Sequence, residues 1–227
     1  MKYPNVTPAA FLDRPNRFIA RVAVGGKTET VHVKNTGRCR ELLKPGAEVW
    51  LTAPDTPGRK TKYDLVAVRK DTGALFNIDS HAPNAAAKEW LCAQGFDKVV
   101  PEHRYGDSRI DFYMEKDGER YLMEVKGCTL AIGGVGYFPD APTERGAKHI
   151  RELIRAAGEG YRAVLAFVIQ TEDVTEVRPN AATDPAFAQA AADAKQAGVT
   201  VLFLPCLVEP DCLSIRPETS FPFPHSE

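Results

Sequence analysis

The 227-residue sequence predicts two domains, a small five-stranded β-barrel followed by an α/β domain on a mixed sheet. Three observations carry this. Up to about residue 80 the chain reads as short alternating strands between Pro/Gly-rich turns, and beyond it helical patterns and continuous apolar runs take over. The charge changes with the rhythm: residues 1–80 hold 14 Lys+Arg against 8 Asp+Glu, and residues 81–227 hold 15 against 22. The length allows two small domains, each with its own core.

Taken in order, Phe18 to Val33, FIARVAVGGKTETVHV, alternates apolar and polar residues around Gly25-Gly26, a two-residue hairpin signal. GRCRELL at 37–43 predicts a short helical turn, and GAEVWLT, KYDLVAVR and GALFNID three more strands. Five short strands close most economically into a barrel of the OB type, which removes sheet edges and often binds nucleic acid. The boundary is expected between Ser80 and Asn84, giving a barrel over 1–82 and an α/β domain over 83–227. The second domain begins with a helix, PNAAAKEWLCAQG, ended by Gly95. Strands follow near 98–105, 109–115 and 120–126. Next come a helix capped by Thr143, the apolar strand YRAVLAFVIQ, a helix from DPAFAQAAADAKQAG and the strand VTVLFLP.

Composition, 44% apolar and 26% charged, is that of a soluble globular protein. The first residues lack a signal-peptide core and no run is long enough to span a membrane, so a cytoplasmic location without membrane contact is expected. Five cysteines without a C-x-x-C pair suit neither a disulfide framework nor a common zinc site. The net charge of −1 gives no bulk attraction to nucleic acid. The basic first half can nonetheless supply phosphate affinity, and the acidic second half can hold a metal.

The informative stretch is SRIDFYMEKDGERYLMEVKG, from Ser108 to Gly127. With Asp117-Gly118 as the turn, Asp111 falls opposite Glu124. One face then carries Ile110, Phe112, Met114, Tyr121, Met123 and Val125. Two carboxylates about 5 Å apart repel by about 3 kcal/mol at an effective dielectric of 20. Lys126 offsets part of that charge, and Mg²⁺ or Mn²⁺ would supply the rest. A metal-bound water beside a lysine suits attack on a phosphodiester, which makes Asp111, Glu124 and Lys126 the candidate catalytic set. Glu102 or Glu89 is the candidate further metal ligand. Lys34, Arg38, Arg40, Arg59, Lys60 and Lys62, around the barrel loops, are candidate DNA contacts, with Tyr63 and Trp50 for stacking. Arg145, Lys148 and His149, on neighbouring turns of one helix, add to them.

These residues, with NTGRCRELL, RKTKYDLVAV, RYGDSRIDF, MEVKGCTL, YFPDAPTERGAKHIREL and the late DPAF, resemble the sugar fermentation stimulation protein A (SfsA) family over nearly the whole chain. The resemblance implies an OB-type domain, a second domain like the PD-(D/E)xK nucleases, DNA binding, and a regulatory role in sugar (maltose) metabolism genes. It implies Asp111 as the acid of the nuclease pattern and Glu124 and Lys126 as its E-x-K. Cutting of DNA and binding without cutting both stay open, as does the oligomeric state, a homodimer included. A small-molecule hydrolase or sugar-binding protein is disfavoured, because no Gly-rich phosphate loop, G-x-S-x-G nucleophile or zinc motif is present.

Overall fold

The computed structural model describes residues 1–35 and 37–223. Its first domain comprises β1 (Val6–Asn16), β2 (Ile19–Val24), β3 (Lys27–Val33), β4 (Glu48–Thr52), β5 (Asp64–Arg69) and β6 (Leu75–Asn77). Gly25 and Gly26, both at positive φ, make the β2–β3 turn. Antiparallel ladders run β3-β2-β1-β4-β5, and a parallel β3–β5 pairing closes five strands into a barrel. The expected number is met by a different set. β1 supplies a wall that the sequence hides, since Pro8 and Pro15 suggest a loop and two register shifts break its alternation. β6 is appended to β5 outside the closure. Residues 37–43 form the expected short turn, closed by the Leu42 and Leu43 N–H groups on the Cys39 carbonyl, and Cys39, Leu42 and Leu43 bury into the barrel core.

The second domain opens with α1 (Ala82–Cys92), followed by β7 (Lys98–Tyr105), β8 (Ser108–Lys116), β9 (Glu119–Cys128), β10 (Leu130–Ile132) and β11 (Val135–Phe138). Then come α2 (Glu144–Gly158), β12 (Arg162–Ile169), β13 (Val177–Pro179), α3 (Pro185–Gln196), β14 (Thr200–Glu209) and β15 (Cys212–Ile215). The main sheet has the order β15-β14-β12-β9-β8-β7, with β9, β12 and β14 parallel and the outer strands antiparallel. α1 buries Ala86, Ala87, Trp90 and Leu91 on one face, while α2 and α3 cover the other. That double cover is why β12 reads as a continuous apolar run. Thr143 caps α2 by accepting from the Gly146 N–H at 3.0 Å, and Asp184 caps α3 through the Phe187 N–H at 2.9 Å. β10, β11 and β13 form a small separate sheet where LAIGGVGYF reads as a glycine-rich loop. Among the described residues no helix is long and apolar enough to cross a membrane.

The expected hairpin register holds from Lys116↔Glu119 to Phe112↔Met123, where the ladder stops. Asp111 and Glu124 are therefore not a ladder pair. On the other side, β7–β8 pairing skips one position, between Pro101↔Phe112 and His103↔Ile110, and Glu102 there has a left-handed φ of 52°. Across this irregularity the side-chain alternation fails: Phe112 joins the core under α1, whereas Ile110 joins Tyr113 and Leu122 under α2. The single apolar face expected for the hairpin is thus wrong at Ile110, and both faces of β8 and β9 are covered.

The domains meet through a buried polar seam. The Gln170 amide donates to Asn77 Oδ1 at 2.9 Å and to the Asp79 carbonyl at 3.1 Å, while Asn77 Nδ2 donates to the Tyr3 hydroxyl at 2.9 Å. These bonds tie the barrel to the C-terminal ends of β9 and β12.

Candidate functional site

The break in the ladder frees Asp111 to turn its carboxylate across the gap. Its Oδ2 accepts the backbone N–H of Val125 at 2.8 Å, and its Oδ1 accepts from Asn84 of α1 at 2.7 Å. Glu124, only 2% exposed, meets Lys126 Nζ at 2.5 Å and His149 Nδ1 of α2 through its Oε1. Arg145 Nε donates to His149 Nε2 at 3.2 Å. A guanidinium has no acceptor, so Nε2 is the unprotonated nitrogen and Nδ1 carries the hydrogen given to Glu124.

The two acids titrate in opposite directions. Burial, then the charge of Glu124, raises the Asp111 carboxyl above the ordinary carboxylate value. Burial also pushes Glu124 up, but the His149 and Lys126 hydrogen bonds and the Lys126 charge outweigh it and leave the group lowered. Glu124 Oε2 is buried without a hydrogen-bond partner. An orphaned carboxylate oxygen beside a second acid that resists ionising leaves the cluster short of positive charge. That oxygen donor set fits a hard divalent cation held by Asp111 and Glu124, with water completing its shell.

Of the residues expected here, Asp111, Glu124 and Lys126 come together. Glu102 does not join them; it is exposed and pairs with Arg109 at 3.3 Å. Glu89 is exposed and takes the N-terminal ammonium at 2.6 Å. Among the described residues no set of three His, Cys, Asp or Glu side chains is placed to hold a metal. Sequence reasoning missed Asn84, whose only signal is its place at the start of α1. It underweighted His149, which the i, i+4 spacing from Arg145 could have indicated.

The basic residues divide into inward and outward groups. Lys34 Nζ lies 3.1 Å from Asp64 Oδ2 and 3.3 Å from Asp79 Oδ2, and Arg59 hydrogen-bonds Asp64 Oδ1. With Asp64 fully buried, these two cations serve the barrel interior. Arg38 and Arg40 are exposed and, with Arg14, Arg17 and the 141–142 segment, line a groove of about 420 Å³. Arg14 shapes that groove by donating to the carbonyls of Arg17, Asn35, Gly37 and Arg38 at 2.5–2.9 Å. Lys60 and Lys62 are exposed on the loop before β5, with Lys62 Nζ 4.8 Å from the Tyr63 ring. Arg145 and Lys148 are exposed on α2. Trp50 is buried, 5.1 Å below the Arg69 guanidinium, and offers no stacking platform.

Comparison with known proteins matches both halves. The sugar fermentation stimulation protein RE domain matches residues 81–212 and the SfsA N-terminal OB domain residues 12–78. A sugar fermentation stimulation protein homolog of Desulfitobacterium hafniense is 48% identical over 216 residues, 94% of each chain. One of Ruminiclostridium cellulolyticum is 45% identical over 220 residues, 95% of this chain and 97% of that one. Among solved structures, Pyrococcus furiosus SfsA in complex with Ca²⁺ superposes with a TM-score of 0.84 at 30% identity, covering 97% of both chains. The chain belongs to the sugar fermentation stimulation protein (SfsA) family.

Proposed function

We propose that the protein binds DNA and hydrolyses its phosphodiester bonds with a divalent cation, Mg²⁺ or Mn²⁺, held by Asp111 and Glu124. The observation that carries this reading is the unpartnered, buried Glu124 Oε2 beside the ionisation-resistant Asp111, with Lys126 Nζ 2.5 Å from the other Glu124 oxygen. The relative crystallised with Ca²⁺ supports a cation in this family. When bound, the cation supplies Lewis-acid polarisation of the phosphate and a more acidic water. Asn84 and the Val125 N–H hold Asp111 in place, and His149, itself held by Arg145, holds Glu124. Lys126 orients the attacking water and stabilises the charge that builds on the phosphate. Arg38, Arg40, Lys60, Lys62, Arg145 and Lys148 contact phosphates, a sequence-independent grip whose affinity falls with salt. The link to sugar metabolism in the family name is read as acting through DNA, since the site presents carboxylates beside cations.

A second reading, DNA binding without cleavage, is favoured by the engagement of Glu124 Oε1 with both Lys126 and His149 and by the lack of a third carboxylate. Incubation of the protein with single-stranded, duplex, flap and junction DNA in Mg²⁺ or Mn²⁺, beside Glu124→Gln, separates the two. Cutting by wild type alone supports hydrolysis. Intact DNA on every substrate, with salt-sensitive binding retained, supports the second reading.

A further inference from the structure

Between the two domains lies a cavity of about 280 Å³. Its floor includes Gly127, one residue beyond Lys126, and Gln170, whose Oε1 would clash with a Cβ at Gly127. Its walls include Asn35 of the barrel and Tyr137 and Asp140 of the second domain. We propose that this cavity seats one unpaired nucleotide, its base stacked on Tyr137 and its edge read by Asn35 and Asp140, so that DNA reaches the Asp111/Glu124 site as a single strand. The inference rests on the hydrolytic reading above and names its substrate.

Four features point to a base. The neighbouring Phe138 ring is packed against Phe167 and Phe187, whereas the half-buried Tyr137 ring has no aromatic partner among the described residues, which leaves a face for stacking. Asn35 Oδ1 is taken by the Gly37 N–H at 2.7 Å, so its amide NH₂ is the donor it offers, while Asp140, held by the Arg38 N–H, offers a carboxyl. A donor from the barrel wall and an acceptor from the facing wall match the polar edge of a base. The cavity is also small: the barrel and the second domain touch at its rim, where a Cβ at Gly37 would clash with Asp140, and about 280 Å³ is room for a nucleotide and not for a duplex. Finally, the cavity shares Gly37, Ala141 and Pro142 with the arginine groove. There Arg17, Arg38 and Arg40 form no ion pair among the described residues, so the backbone of the same strand has a cationic track.

The test uses the full-length protein in EDTA and DNA oligonucleotides with 2-aminopurine walked along a single strand. The expected result is a severalfold fluorescence change at one register of a bound strand, with affinity roughly tenfold weaker in Tyr137→Leu and restored in Tyr137→Phe. Uniform fluorescence at every register, or equal affinity of Tyr137→Leu and wild type, overturns the proposal. The same oligonucleotides are then incubated with Mn²⁺. Duplex cut as fast as single strand, with a silent probe, sinks the nucleotide seat and keeps the hydrolase. A Tyr137-dependent probe signal without any cutting keeps the seat and sinks the hydrolase.

Discussion

Two buried acid clusters, one in each domain, are wired in opposite ways. Asp64, at the start of β5, faces Lys34, Arg59 and His32, and although burial pushes its carboxyl up, the hydrogen bonds of Arg59 and Lys34 leave it lowered. Asp111 and Glu124 share Lys126, with the His149 ring on Glu124, and Asp111 is left raised. Formal charge is satisfied in the barrel and unsatisfied in the α/β domain. A cluster that balances itself has nothing to gain from a ligand; one that does not is stabilised by whatever cation completes it.

The largest expected effect that would break this contrast is on the barrel side. Asp64→Asn strands the partly buried Arg59, leaves Lys34 with Asp79 alone, and should cost about 3–5 kcal/mol in urea unfolding, equally with and without Mg²⁺. Next, Glu124→Gln should remove metal-dependent cleavage to below about 1% of wild type, together with the rise in melting temperature that Mn²⁺ gives wild type; an unchanged rise would place the cation elsewhere. His149→Ala, which frees Glu124 on one side, should weaken metal affinity by about 10- to 100-fold in calorimetric titration. Asp111→Asn sharpens the comparison most directly. Without metal it should change stability by under about 1 kcal/mol or increase it, since it relieves a charge the fold disfavours, the reverse of Asp64→Asn.

Acidification separates the clusters by sign. The lowered Asp64 contributes stability that is present above its ordinary value of 3.8 and is lost as pH falls through its folded value, so the barrel weakens only in strong acid. The raised Asp111 must release a proton to bind a cation, so metal affinity should already decline at a pH above its ordinary 3.8. Titrating Mn²⁺ affinity and metal-free stability against pH on the same sample would show the first falling before the second. The smallest effect is that of Lys60→Ala with Lys62→Ala, which should leave folding untouched and reduce the salt slope of DNA binding by about 2.

Much of this was legible in the sequence because it rests on local pattern. The Asp117-Gly118 turn set the register of β8 and β9, and the E-x-K spacing put Glu124 and Lys126 on one strand. What could not be read depends on tertiary geometry. β1 is a bulged, proline-bearing strand whose partners lie on both sides of it, so alternation gave no signal. The turn of Asp111 out of the ladder lies beside the left-handed backbone at Glu102, a non-glycine position that no propensity marks. Lys34 and Arg59 looked like surface cations because their partner, Asp64, is buried by barrel closure and not by its own neighbours in sequence. Glu102 and Glu89 failed as ligands for a related reason, since an acid near in sequence to the site can still face solvent.

Glu124 and Lys126 both lie on β9, which pairs with β12 through eight consecutive residues, Arg162↔Tyr121 to Ile169↔Cys128. The strand that carries the chemistry is therefore an interior member of the sheet and cannot fray by itself. Amide hydrogens along it should exchange only through global opening, hours after those of the β10–β11 hairpin, and loss of the site on heating should coincide with loss of the whole domain.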